Sequence, residues 1–446
     1  AMTNELHAER LTEVVRRFCD VGKPSEALPH EVDAKARLML LDTVGCMLAA
    51  RSAPEVAAFE AGFSRLDAGS FRFPGGPGLT TLGAAAVGAM AATWDEACEG
   101  LARAHGRPGV PVVAALLPQA LVRDVTVGEL IGALVAGYEV GARAGAWLRI
   151  RPGMHVDANW PSLGVAAGVA RLLALPAGLA MAAINTAACQ LPASLYLPVA
   201  AGANARNTYL AHSAWLGILA ALSAAGGVTA PQDALAHYAL NCSAAGNEPL
   251  IDPARFLMLE AYFKPHAAVR HAHYGAEAAR LLRGGLGGRT ENIDAITLSV
   301  YAEAQTYCGN RDAQTPIQAQ FSLSFGVAAG LRHGGIDAGI YRKDQFHDAE
   351  LRRLERLVRV KIDPALGESG RRGARLEIVT AGEARSASVT TIKGDPAMPM
   401  STAEVTEKFL RYAATSVPAG RARDFAAQLI DCDSTTSFRD VWNVLF

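Results

Sequence analysis

From residue 30 to about residue 260 the chain repeats apolar residues at helical spacing while placing alanine and glycine on nearly every face, and this limits the fold more than any other feature. In "ARLMLLDTVGCMLAA", Leu41, Val44 and Leu48 recur three and four apart, which sets them on one side of a helix. "TVGELIGALVAGYEVGARAGAWL" opens with Thr126 three residues ahead of Glu129, the capping-box spacing. It then carries Ile131, Leu134, Val135 and Tyr138 along one stripe. Helices with small residues all round can approach closely and be buried on every side, so a multi-layer helical domain is expected.

The texture changes near residue 267. "ENIDAITLSVYAEA", "ERLVRVKIDP" and "ARLEIVTAGEARSASVTTIKG" alternate β-branched and polar residues as half-buried strands do, with a turn at "AGEA". "AQFSLSFGVAAGLRHGG" between them returns to helix. Pro396 and Pro399 then break the chain, and Ser401 or Thr402 caps a last amphipathic stretch with Glu404 in its first turn. The reading is a mainly α protein: a large all-helical domain over 1–266, a smaller α+β domain over 267–396, and a segment over 397–446 that rejoins the helical part.

A chain of 446 residues with 19% charged residues and a formal net charge of −1 gives no global reason to seek nucleic acid or an anionic membrane. Its longest apolar runs, 161–189 and 214–230, are interrupted by Arg171 and Pro176 or diluted by Gly, Ser and Ala, so neither reads as a membrane span. Seven scattered cysteines without a CxxC suggest neither a disulfide framework nor a zinc site, and a cytoplasmic location is expected. The start "AMTNELHAERL" has charges where a signal peptide needs an apolar core. "GGPGLTTLGAAAVGAM" lacks the GKS or GKT of a phosphate loop, and no HExxH or GxSxG occurs. His271 and His273, two apart, would diverge on a helix rather than share a metal. No cofactor and no metal are expected, and the partner is a small molecule.

Polar chemistry is concentrated in a few loops ahead of apolar helices. Asp95, Glu96 and Glu99 form an acidic cluster, followed by His105 and Arg107 before a Pro-Gly turn. His155 and Asp157 precede one Gly- and Ala-rich helix, and Arg206 and Tyr209 precede another; helix amide ends suit anions. "FKPHAAVRHAHYGAEA" crowds Lys264, His266, Arg270, His271 and His273 into one short stretch.

Six segments, "LLDTVGC", "GYEVGAR", "GMHVDANWPSLGVAAGVARLLAL", "FKPHAAVRHAH", "AQFSLSFGVAAG" and "KGDPAMPMS", resemble in this order the signature segments of the MmgE/PrpD family. That family includes 2-methylcitrate dehydratase, cis-aconitate decarboxylase and iminodisuccinate epimerase. The resemblance implies a large helical domain with an α+β lid, a homodimer, and an active site between the two parts, with His155 at the family's GxH histidine and Lys264 at its interdomain lysine. This chain departs from dehydratase- and decarboxylase-like members: Arg107 stands where a histidine is expected, Arg206 where a lysine is, and Phe325 where many have tyrosine.

On that resemblance, the expected chemistry is a cofactor-independent epimerisation or isomerisation of a small di- or tricarboxylate, closest in kind to iminodisuccinate epimerase. Dehydration and decarboxylation are the alternatives, with a non-enzymatic binding relative behind them. Lys264 and His155 are expected as bases on opposite faces of the reacting carbon. Asp95, His105, Arg107, Arg206, His266 and His273 are expected to bind substrate, with the two arginines as bidentate carboxylate clamps.

Overall fold

In the computed structural model, which describes residues 4–19, 28–244 and 252–446, the small-residue helices form the middle of the molecule. Thr126 caps helix Val127–Trp147: its hydroxyl accepts from the Glu129 amide at 3.2 Å, and the Glu129 carboxylate accepts from the Thr126 amide at 2.7 Å. This helix packs along Pro161–Leu172, which in turn lies against Tyr209–Ala225. At the first crossing the backbones nearly touch. A Cβ on Gly164 would fall 2.6 Å from the Gly137 carbonyl oxygen and 3.0 Å from the Gly141 Cα, so only glycine permits that approach.

The stretch Asn204–Ala225 is long and apolar enough to cross a bilayer, yet 56% of its most apolar 18-residue window is buried inside the protein. Core helices pass the same test of length and composition.

Four strands, β1 (Ile293–Val300), β2 (Val358–Ile362), β3 (Ala374–Thr380) and β4 (Glu383–Val389), form one mixed sheet in the order β2-β1-β3-β4. β1 and β2 run parallel, joined by a helical crossover, and the β1–β3 and β3–β4 pairs are antiparallel. Thr380 pairs with Glu383 across a two-residue turn, Ala381 and Gly382, both at positive φ (49° and 83°). That turn matches the right-handed twist of the flanking strands. Helices Arg270–Gly285 and Leu323–His333 pack on each other and against the sheet.

Ser401 caps Thr402–Ala413 through a capping box with Glu404, and this helix lies along His30–Ala50 near the other end of the chain. Lys408, almost wholly buried, bonds to Asp42 at 2.6 Å and to the Ala97 carbonyl at 2.7 Å. On the α+β side, Arg342 grips Asp95 with two bonds of 2.8 Å and reaches the Ala49 carbonyl. Both ties end beside residues 95–97, so that turn is held from two directions.

Gly164→Ala should lower stability by about 1–3 kcal/mol, because the new methyl forces two packed helices apart. Thermal unfolding measures this, and an unchanged midpoint would show that the crossing has slack.

Candidate active site

Helix Thr81–Trp94 ends into a sharp turn, and Glu96 takes a left-handed conformation (φ 54°) that aims its side chain inward. A non-glycine residue held there is conformationally costly, so its contacts must hold it. Arg107 supplies two donors at 3.1 and 3.2 Å, Arg206 a third at 2.7 Å, and Lys264 a fourth at 3.0 Å, with Lys264 also bonding the Glu96 carbonyl at 3.0 Å. Asp157 is the second carboxylate of the cluster, 3.4 Å from the Arg107 Nε and 3.8 Å from Arg206. Three cations thus face two carboxylates, with His155 beside them.

Local sequence explains how four distant segments meet. Pro108 and Gly109 turn the chain into an apolar helix, which leaves Arg107 at its mouth. Residues 156–158 form a short 3-10 turn that places Asp157 beneath His155. Lys264 is fixed from the α+β side by the "KGDP" loop. Gly394, at φ 97°, runs so close to the Phe263 carbonyl that a Cβ would overlap it, and Asp395 then pairs with Arg270. Arg270 stacks over Tyr262, 4.6 Å from the ring centre.

These groups border a cavity of about 840 Å³, lined by Glu96, Arg107, His155 and Lys264 on its charged side and by Tyr196, Tyr262, Tyr274, Tyr307 and Phe321 elsewhere. The ion pairs Arg270–Asp395, Arg103–Glu260 and Arg372–Glu303 also reach it.

Burial alone would raise the Glu96 carboxyl, but the charges of Arg107, Lys264 and Arg206 outweigh it and hold Glu96 ionised, well below the ordinary range. Lys264 moves down. Burial disfavours its charge, and Glu96 offsets this incompletely because Arg107 competes for the same carboxylate. Burial brings His155 down to about 4, with Asp157 opposing and the two arginines assisting. Its Nδ1 accepts from the Asp157 backbone amide at 3.1 Å, so the neutral ring carries its proton on Nε2. The ring lies between Tyr196 and Tyr209, and its backbone is tied to Ser194.

The expected site residues divide clearly. Lys264, His155, Arg107 and His105 line the cavity, His105 from an exposed position at the rim. Arg206 is fully buried behind Glu96, and the Arg107 fork is occupied by Glu96, so neither arginine has the free bidentate face of a substrate clamp. Asp95 is bound to Arg342 and lies outside the cavity wall. His273 is enclosed, accepting from Arg270 at 3.3 Å and donating to the Ala268 carbonyl at 3.0 Å. His266 faces a second cavity of about 800 Å³, with Glu277 3.5 Å away. The lysine-histidine stretch is therefore split: Lys264 goes to one cavity, His266 to another, and His273 to the core between. Phe325 is also core, stacked on Tyr341.

Glu96 was visible in sequence only as one of three acidic neighbours. Its role depends on a backbone conformation that no local pattern announces. Asp395 and Tyr262 sit inside or beside quoted signature segments, which was their available signal. Among the described residues no three His, Cys, Asp or Glu side chains gather in the manner of a metal site.

Comparison with known families matches residues 21–245 to the MmgE/PrpD N-terminal domain and residues 266–431 to the MmgE/PrpD C-terminal domain. No curated protein matches the chain significantly.

His155 provides a stability test. Its folded-state value, about 4, lies below the ordinary 6.5, so the unfolded chain binds more protons between those limits and stability falls as pH drops through that window. His155→Gln should remove about 2 kcal/mol of that acid sensitivity, read by urea unfolding at pH 7 and pH 4.5.

Proposed function

Because the chain belongs to the MmgE/PrpD family, we propose that this cavity removes a proton from a carbon next to a carboxylate of a small di- or tricarboxylate, with epimerisation as the outcome and iminodisuccinate as the nearest kind of substrate. Members of the family are typically dehydratases, decarboxylases and epimerases, which share that carbon-acid chemistry.

The observation that carries the reading is Lys264. A carbon acid needs a neutral base, and an amine works as one only when its proton is loosely held. Burial loosens it here, the Glu96 carbonyl and carboxylate fix the nitrogen in place, and the cavity gives access. With Lys264 neutral the two arginines balance the two carboxylates of the cluster, and proton transfer to Lys264 leaves an excess of one positive charge that stabilises the enolate-like charge developing on the substrate. Arg107 adds positive charge from the wall while its fork remains on Glu96 and its Nε stays 3.4 Å from Asp157.

His155 takes a different part from the second base expected in sequence. With Nδ1 committed to a backbone amide, its ring has no free lone pair, and Nε2–H is a donor suited to an oxygen gaining negative charge. A neutral imidazole performs this without the burial cost of a charged one.

Dehydration is the second reading, since the cavity volume admits a tricarboxylate as readily as a dicarboxylate. Its first step is the same proton loss, followed by departure of hydroxide. A surface stripe of Trp215, Leu219 and Leu222 on helix Tyr209–Ala225 is exposed and supports pairing with a second copy of the chain.

Incubation with iminodisuccinate, 2-methylcitrate and cis-aconitate in deuterated buffer, followed by proton NMR, tests the reaction. The expected result is loss of the proton signal next to a carboxylate with inversion at that carbon, rising with pH as Lys264 loses its proton. Lys264→Ala should slow exchange by about 10²-fold or more. An alkene product with retained configuration in the remaining substrate establishes dehydration instead, and undiminished exchange in Lys264→Ala removes the lysine from the mechanism.

A further inference from the structure

Epimerisation needs a proton returned to the carbon from a second group, and the geometry of His155 leaves that place open. Glu99 also lines this cavity, 1% exposed. Its Oε1 accepts from the Gly109 amide at 2.7 Å and from the Val110 amide at 3.3 Å, at the start of helix Gly109–Arg123. Its Oε2 is buried and finds no hydrogen-bond partner among the described residues. A buried carboxyl with one oxygen doubly bonded and the other unbonded is expensive unless that second oxygen has a purpose.

We propose that Glu99 is the proton donor of this cavity, carrying a hydrogen on Oε2 and delivering it to the carbon from which Lys264 has removed one. The inference rests on the proton-abstraction reading given above. The balance is direct. Lys264 takes H⁺ from the substrate C–H bond and becomes an ammonium. The Glu99 O–H bond then breaks, a new C–H bond forms, and Glu99 is left as a carboxylate. That carboxylate keeps both amide bonds on Oε1 and gains from the helix N-terminus, so the site is built to accept the charge it acquires.

The surroundings agree. The charged and titratable groups facing Glu99 are Lys35, Asp42, Arg107, Tyr138 and Tyr262. None of them bonds to its carboxylate, and Lys35 donates instead to the Ala261 carbonyl. Burial pushes the Glu99 carboxyl up to about 7, against the two amides and Arg107, while Asp42 adds to the rise. Glu96, three residues earlier, is held ionised by its three cations. Two carboxyls lining one cavity are thereby driven to opposite protonation states, the arrangement by which enzymes separate an acid from an electrostatic anchor.

The test uses the full chain in two arms. Infrared difference spectra across pH should show the C=O stretch of a protonated carboxyl that disappears through about pH 7, absent in Glu99→Gln and retained in Glu96→Gln. This arm needs no substrate, so it stands apart from the assignment of the reaction. In the second arm, any of the three acids that exchanges deuterium with the unmodified protein is offered to Glu99→Gln. Glutamine still accepts the two amide bonds but has no proton to give. Deuterium should therefore enter with retained configuration while inversion falls by about 10²-fold or more. A purely structural carboxyl would lower both together. The proposal is overturned by a carboxyl band that is missing, by one that survives in Glu99→Gln, or by inversion that continues undiminished. If no acid exchanges, the abstraction reading fails and the infrared arm alone decides whether Glu99 holds the proton.

Discussion

The carboxylate of Glu96 is the point on which the site depends. Four donors from three residues converge on it, from positions 107, 206 and 264, and these cations would repel one another without it. Its own backbone is held in a left-handed conformation that is costly for glutamate and persists because the surrounding contacts fix it. The neighbouring residues carry the mechanical load: Asp95 is gripped by Arg342 and the Ala97 carbonyl by Lys408, so the turn bearing Glu96 is anchored to the α+β part and to the C-terminal helix together.

From that anchor the remaining chemistry is a matter of burial and charge distribution. Lys264 shares its carboxylate with Arg107 and Arg206, so its proton is held less firmly than in an isolated pair. A buried pair is weak evidence for stability, since desolvation offsets much of the attraction; here the same balance tunes a base. His155 is kept neutral by burial, with the two arginines assisting, and the backbone amide of Asp157 on Nδ1 leaves its proton on the other nitrogen.

The clustered histidines show how far a dense motif can mislead. In "FKPHAAVRHAH" the proton carriers are neighbours along the chain, but helix Arg270–Gly285 begins within the stretch and turns successive side chains to different surroundings. Lys264 lies before the helix and reaches the cavity, whereas His273 is one turn inside it and enters the core. The clamp reading of Arg107 and Arg206 had a similar limit: guanidinium pairs well with carboxylate, and the partners turned out to be Glu96 and Asp157 of the protein itself.

What the sequence determined by itself was what depends on near neighbours. Helical spacing, the capping box at Thr126, a cap at Ser401 or Thr402 that the structure places on Ser401, the strand alternation of 293–389 and the turn before Glu383 all arise from interactions within a few residues, and all are present. The six ordered signature segments likewise identified the family, and with it the placement of Lys264 and His155 on one cavity. Only the tertiary structure decided which charges meet. Glu96 is separated by 110 residues from Arg206 and by 168 from Lys264, and Asp395 meets Arg270 across 125. Protonation follows from those meetings, because it is set by desolvation and by charges brought close through folding. Glu96 and Glu99 read alike in the chain, and they differ in the fold because three cations outweigh the burial of one, while burial prevails over two backbone amides and one arginine at the other.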